Sequence, residues 1–542
     1  MAGASPRALA SGPVTHSPAT TGASAAASPS PTDKGLRADA LGAVDAVSIG
    51  VASTGPAYSM AATIGLVAAG VALQTPAVVV LAFLPVFCAA LGYHALNRRE
   101  PDCGTSFVWV SRAFGPTWGW MAGWAIVVAD VLVVASLAQV AAQYTYLLFG
   151  VGSIGSDPTH PAVLALGVAF VAVLTWVCVR GVALTARLQQ VLVLVETVML
   201  VVFSVVALWR VYAAGGDGPV PGSSTPDWSW FDPTRVSSTS DLVPALMLMV
   251  FLYWGWDSVL SVNEETREPG RVPGLAAITS TLVLLSVYVL FAVSAQAFAG
   301  TGSEGLGLAN PEHADDVVAA LAHAVFGDGW WGTVAVHLLL LMVLTSAAAS
   351  TQTTLLPTAR TTFSMAVHGA LPARFARVDP RWGTPTVSTW AMGAVCIALY
   401  VPLNFTAGGG GVLDAVSACG IAIGFYYGLT ALASPVLVLR EPGRHRWLAE
   451  VVLPALGGVA LLAASAWTAW TALPPDSGEV AVPVPGVNGG VGAVFVLGVA
   501  GMALGVPLML WWRRRSPAFF THSAPARVLP AAPEAVPEAL RD

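Results

Sequence analysis

Between residues 44 and 512 the chain alternates long apolar stretches with short polar loops. The stretches lie near 44–72, 76–96, 118–148, 161–180, 187–212, 241–263, 273–299, 331–366, 384–402, 412–439, 447–473 and 491–512. Their hydrophobicity is continuous, and each is long enough to cross a roughly 30 Å hydrocarbon layer as a helix. Barrel strands would be shorter and would alternate. The pattern predicts an all-α polytopic membrane protein with about twelve transmembrane helices. Residues 1–40, rich in Ala, Ser, Pro and Thr, are expected to be a disordered cytoplasmic tail, and 513–542 a second one. The membrane domain is then 41–512.

Composition agrees. Only 10% of the 542 residues are charged, against roughly 25% in a soluble domain. The net charge of −6, from 24 basic and 30 acidic residues, gives no sign of nucleic-acid binding. Lys34 is the only lysine. Cys88, Cys103, Cys178, Cys396 and Cys419 show no disulfide or metal spacing and read as small core residues.

The arginines sort by loop. Arg98, Arg99 and Arg112, Arg180 and Arg187, and Arg267 and Arg271 follow even-numbered stretches. So do Arg374, Arg377 and Arg381, then Arg440, Arg444 and Arg446, and Arg513 to Arg515. Arg210 and Arg235 are the exceptions. Positive residues stay inside, so an even span count in the cell membrane puts both termini in the cytoplasm. The loops around 214–240 and 300–330 are then external, and the run from Asp315 and Asp316 to Phe326 reads as a short amphipathic helix on that face.

Two stretches are interrupted. In the first, Gly50, Ser53, Thr54, Gly55 and Pro56 crowd the middle. A break at Ser53–Gly55 would let Pro56 open a second half-helix, where its missing N–H costs nothing. In the sixth, Gly255 stands between Trp254 and Trp256, followed by Asp257. First and sixth are matching positions in two five-helix halves, and paired interruptions of this kind point to a midplane binding site in inverted-repeat transporters.

The loop from Asn97 through Arg-Arg-Glu-Pro-Asp-Cys-Gly to Arg112-Ala-Phe-Gly-Pro, and the Gly119-Trp-Met-Ala-Gly-Trp that follows, resemble the amino acid–polyamine–organocation superfamily of permeases. So do Asn263-Glu-Glu-Thr-Arg-Glu-Pro and the run from Ala359-Arg to Met365-Ala-Val-His-Gly-Ala-Leu-Pro. The resemblance covers stretches 1 to 9. It implies a 5+5 inverted-repeat fold with helices 1 and 6 interrupted, and a permease for an amino acid or related amine. Two features depart from the family pattern: the first break is Ser53-Thr54-Gly55-Pro56 rather than a Gly-Ser/Ala-Gly run, and stretch 5 has no lysine but Glu196.

Ionisable residues at membrane depth are expensive and suggest function. Asp130, Glu196 and Asp257 lie there, with no Lys or Arg at comparable depth to pair with them. Glu196 and Asp257 are the candidate proton carriers, and Asp257 is equally suited to capping a half-helix. Asp130 is a candidate for recognising an amine. Backbone N–H groups near Thr54 and Gly55, at the Ser53–Gly55 break, could hold a substrate carboxylate, and carbonyls exposed near Leu252 to Trp254, just before Gly255, its amine. Tyr253, Trp254 and Trp256 could gate the pocket. Ser350, Thr351 and Thr354 form a candidate ion site, because the resemblance places them where sodium-coupled relatives hold sodium; hydroxyls bonding between helices would look the same.

The expected function is secondary active transport of an amino acid or related amine by proton symport. Sodium coupling, an exchanger and a non-transporting sensor remain open alternatives. No cofactor or metal is expected, and no enzyme motif is visible.

Overall fold

The computed structural model describes residues 34–521, apart from 216–217, 237, 313–316, 328, 444 and 488. Among these, eleven helical runs are long and apolar enough to cross a membrane. The first, Ala43–Arg99, has 57 residues. As one straight helix it would be ~85 Å long, nearly three times a bilayer core. It turns instead at Ala72–Gln74, where Ala72 takes a φ of 50°. It therefore makes two crossings, and the hydrophobic pattern's count of twelve holds.

Span 1 is the pair Ala43–Thr54 and Pro56–Val71, span 2 is Thr75–Arg99, span 3 Pro116–Leu148, span 4 Pro161–Arg180 and span 5 Val182–Ala214. Span 6 is Thr239–Leu252 followed by a tighter 3-10 helix, Trp256–Glu265. Span 7 is Val272–Ala299, span 8 Trp330–Val367, span 9 Thr386–Asn404 and span 10 Gly410–Arg440. Spans 11 and 12 are Trp447–Thr471 and Ala493–Arg515. Span 2 packs on span 7, span 3 on span 8 and span 4 on span 9, so equivalent members of the two five-span halves meet. In spans 3 and 6, 89% of the apolar stretch is enclosed by protein, against 28% in span 5 and 33% in spans 4, 11 and 12. The interrupted span therefore lies in the protein interior, and the outer spans turn Val, Leu and Trp side chains toward lipid.

Outside the spans, the amphipathic helix is present as Val317–Phe326. It buries Val317, Val318, Leu321, Ala322 and Val325, one stripe at helical spacing, against spans 1, 5 and 8. Asp315 and Asp316 lie outside the described residues.

On the arginine-rich face, residues 34–41 already make contacts with the spans. Leu41 donates its N–H to the Glu265 carbonyl (3.0 Å) and accepts from Arg267 (2.9 Å). Lys34 extends its ammonium between Asp102 (2.8 Å) and Glu264 (2.7 Å), 3.7 Å from the Cys103 sulfur. Asp102, Cys103 and Glu264 could together present metal-ligand atoms, but the cation seated among them is this lysine. Asp102 also accepts from Ser364 (2.9 Å). Beside this cluster Arg360 and Glu265 form a fully buried two-point ion pair at 2.7 and 3.1 Å. At the other terminus Arg513 to Arg515 complete span 12, and Pro517–Thr521 adds a short helix that stacks Phe519 on Phe107 at 5.6 Å. Lys34 and Phe519, which lie outside the expected bounds 41 and 512, thus find buried partners far away in sequence. Residues 1–33 and 522–542 lie outside the described residues.

Burial acts to lower the Lys34 pKa, but Asp102, Cys103 and Glu264 outweigh it and hold the ammonium above its usual 10.5. Burial likewise acts to raise Asp102, but Lys34 and His368 hold it well below 3.8. A raised lysine contributes stability below its usual pKa, and a depressed carboxyl above its usual pKa. The contribution of these two groups should therefore hold between about pH 4 and 10 and weaken outside that window. Lys34→Met strips the cation from two buried carboxylates. A loss of about 3 kcal/mol or more is expected, seen as a fall of several degrees in unfolding midpoint and as faster proteolysis before residue 41.

Candidate functional site

The two interruptions meet. Span 1 breaks at Gly55, whose φ of 52° and ψ of 62° end the first half-helix, and Pro56 opens the second. Span 6 breaks after Leu252, and Gly255 has a φ of 117°. A β-carbon on Gly255 would lie 2.6 Å from the Ser53 carbonyl oxygen and 3.0 Å from the Thr54 nitrogen. Only glycine lets these backbones touch. Span 8 closes the other side: Ser350 donates to the Ser53 carbonyl at 3.0 Å. The Leu252 carbonyl, freed by the second break, accepts from Tyr288 of span 7 at 3.0 Å.

Against this junction lies a narrow, nearly closed cavity, lined by Ile126, Asp130, Trp254, Gly255, Asp257, Ser258, Thr354, Pro357 and Tyr426. Spans 3, 6, 8 and 10 all contribute. Asp130 accepts from Thr358 (2.5 Å), and Asp257 from Tyr427 (2.8 Å) and Tyr426 (3.2 Å). No Lys, Arg or His is among the lining residues. Two carboxyl groups in a low-dielectric cavity are costly unless a proton or a cation offsets them, so the arrangement suits a positively charged guest. Asp257 is held by the tyrosine pair, while Gly255 caps the helix with no side-chain bond.

Glu196 is elsewhere. It is fully buried on the span 5 side of the first break, where one carboxyl oxygen accepts from the Ala57 N–H (2.6 Å) and from Ser346 (2.5 Å). It thus sits at the positive end of the second half of span 1. Its other oxygen is buried with no hydrogen-bond partner among the described residues.

Thus the structure brings Asp130, Trp254, Gly255, Asp257 and Thr354 to one cavity, with Ser53 and Thr54 behind Gly255 of its wall and Gly55 against Ser346 and Ser350 of span 8. Tyr253 and Trp256 point away from it: Tyr253 packs on Phe83 and Tyr288, and Trp256 on Tyr93 and Tyr427. Of the span 8 hydroxyls, Ser350 holds the first break and Thr351 bonds back to Ala347 at 2.8 Å. Sequence reasoning missed Tyr426, Tyr427 and Thr358. The adjacent tyrosines in an apolar stretch were the available signal.

A profile of the amino acid permease family matches residues 41–497. An uncharacterised transporter of Mycobacterium tuberculosis is 28% identical over 420 residues, covering 76% of this chain and 83% of that protein. The low-affinity putrescine importer PlaP of Escherichia coli is 23% identical over 345 residues, 63% of this chain and 70% of the importer. Among solved structures, that of MhsT with L-phenylalanine superposes with a TM-score of 0.55 at 16% identity, covering 77% of this chain and 98% of MhsT. That likeness concerns the fold.

Proposed function

Since the chain belongs to the amino acid permease family, we propose that it is a secondary active transporter moving an amino acid or related amine across the cell membrane by proton symport. The observation that carries this reading is the pair Asp130 and Asp257 facing one cavity where the broken helices meet, with no basic residue lining it. An ammonium entering the cavity offsets one of the acids, with a proton on the other, more cheaply than water can at that depth. The carboxyls of Asp257 and Glu196 carry the proton: each is buried, Asp257 among two tyrosine hydroxyls and Glu196 with one oxygen on the Ala57 N–H and the other free to take a proton. Rocking of spans 1, 2, 6 and 7 against spans 3, 4, 8 and 9 would open the cavity to each side in turn. Arginine placement supports both termini in the cytoplasm. The work is translocation, with no covalent step and no cofactor.

Purified protein in proteoliposomes tests this with labelled putrescine and labelled lysine as probes. An inward proton gradient should drive accumulation of a probe above equilibrium, with sodium replacement having no effect. Uptake that ignores the proton gradient and needs internal counter-substrate would identify an exchanger. Uptake that follows sodium would shift the coupling role to Ser350, Thr351 and Thr354.

A further inference from the structure

The start of a half-helix beside the cavity is a natural seat for a carboxylate, because its first N–H groups have no partner in their own helix. In this chain those groups are taken. For the second half of span 1, Pro56 has no N–H, Ala57 donates to Glu196 (2.6 Å), Tyr58 to the Ser346 hydroxyl (3.2 Å) and Ser59 to the Gly55 carbonyl (2.8 Å). Gly55 itself donates to Ala52 (3.1 Å). The second half of span 6 carries its own carboxylate, Asp257, at its second residue. Each half-helix that begins at a break therefore already has a protein carboxylate in its first turn. The cavity between them adds a third, Asp130, with Lys, Arg and His absent from its lining.

We propose that the transported cation has no carboxylate: the chain takes a primary amine or diamine, and Glu196 is the residue that rejects the α-amino acid of the same side chain. This rests on the permease reading above and narrows it. An α-amino acid would bring a buried anion into a site where the N–H groups opening the second half of span 1 are occupied and whose walls carry two acids. Such a group costs its full desolvation with nothing in return. An amine brings only the charge that Asp130 and Asp257 match, and a diamine can meet both acids at once. A proton on the unpartnered oxygen of Glu196 leaves the other oxygen on Ala57, so the seat stays filled throughout a proton cycle.

The test uses matched pairs differing only in the carboxylate: cadaverine and lysine, putrescine and ornithine, agmatine and arginine, phenethylamine and phenylalanine. Affinities for the purified full-length protein are read from the concentration dependence of its unfolding midpoint, since a ligand that binds only the folded state raises it. At least one amine should bind at least about tenfold more tightly than its parent amino acid, the threshold being about 1.4 kcal/mol. Glu196→Ala should then narrow or reverse that preference by freeing the Ala57 N–H, while Glu196→Gln, whose amide oxygen can still accept, should keep it. An amino acid binding as tightly as its amine, or more so, would overturn the proposal and leave the permease reading intact. Binding by no member of any pair would overturn both. An amine preference unchanged in a folded Glu196→Ala protein would remove Glu196 from its specified role.

Discussion

Gly255→Ala is expected to abolish transport, cutting uptake roughly hundredfold or more, about 2.7 kcal/mol of lost function. The added methyl would sit 2.6 Å from the Ser53 carbonyl oxygen and 2.7 Å from its carbon. Both are backbone atoms, held in place by Ser350 and by the helix they end, so they cannot swing aside as a side chain would. The φ of 117° is itself costly for any residue with a β-carbon. The two broken helices must therefore separate, and the cavity wall moves with them. Gly55→Ala should be milder: its β-carbon meets the Ser350 side chain at 3.1 Å, which can yield a little, although the φ of 52° remains unfavourable. Uptake and ligand-dependent unfolding of the two variants, with size-exclusion profiles to confirm folding, check this order. Gly255→Ala protein transporting within twofold of wild type would mean that the meeting of the breaks is not where substrate binds.

Asp257→Asn should be nearly as damaging. Tyr426 and Tyr427 both direct hydroxyls at the carboxyl group. An asparagine can accept through only one oxygen and turns its NH₂ toward the other hydroxyl. It also removes one of two charges that match the guest. Losing one partner of a desolvated charge pair typically costs about 3–5 kcal/mol, equivalent to more than a hundredfold in uptake. Asp130→Asn should follow the same direction, since Thr358 supports that group as the tyrosines support Asp257. Glu196→Gln should instead spare binding and remove the response to a proton gradient. Normal proton-driven uptake by both Asp257→Asn and Glu196→Gln would refute their assignment as proton carriers.

The twelve spans and both breaks could be read from the sequence because they depend on local rules. A bilayer needs about twenty apolar residues per helix, and Gly55-Pro56 and Gly255, each crowded by polar neighbours, weaken a helix locally. The deep acids were visible for the same reason: a lone Asp stands out in an apolar run. Their partners were not visible. Glu196 meets Ala57 across 139 residues, and Asp257 meets Tyr427 across 170. Such pairings are set by how helices approach one another, which no local pattern encodes. Tyr253 and Trp256 illustrate the same limit: their spacing around the second break suggested a gate, but which rings they pack on, Phe83 and Tyr288 for Tyr253 and Tyr93 and Tyr427 for Trp256, is set by other spans. The Lys34 cluster was overlooked because its lysine sits in a stretch whose composition reads as a tail.

The central claim is that one cavity, walled by Asp130 and Asp257 at the junction of the two broken helices, receives the transported cation. A cryo-EM map of the protein saturated with the tightest-binding of the amines or amino acids above tests it most directly. The account predicts the ligand's ammonium within about 3.2 Å of an Asp130 or Asp257 carboxyl oxygen. Ligand density seated anywhere else, with that cavity unchanged, would contradict it.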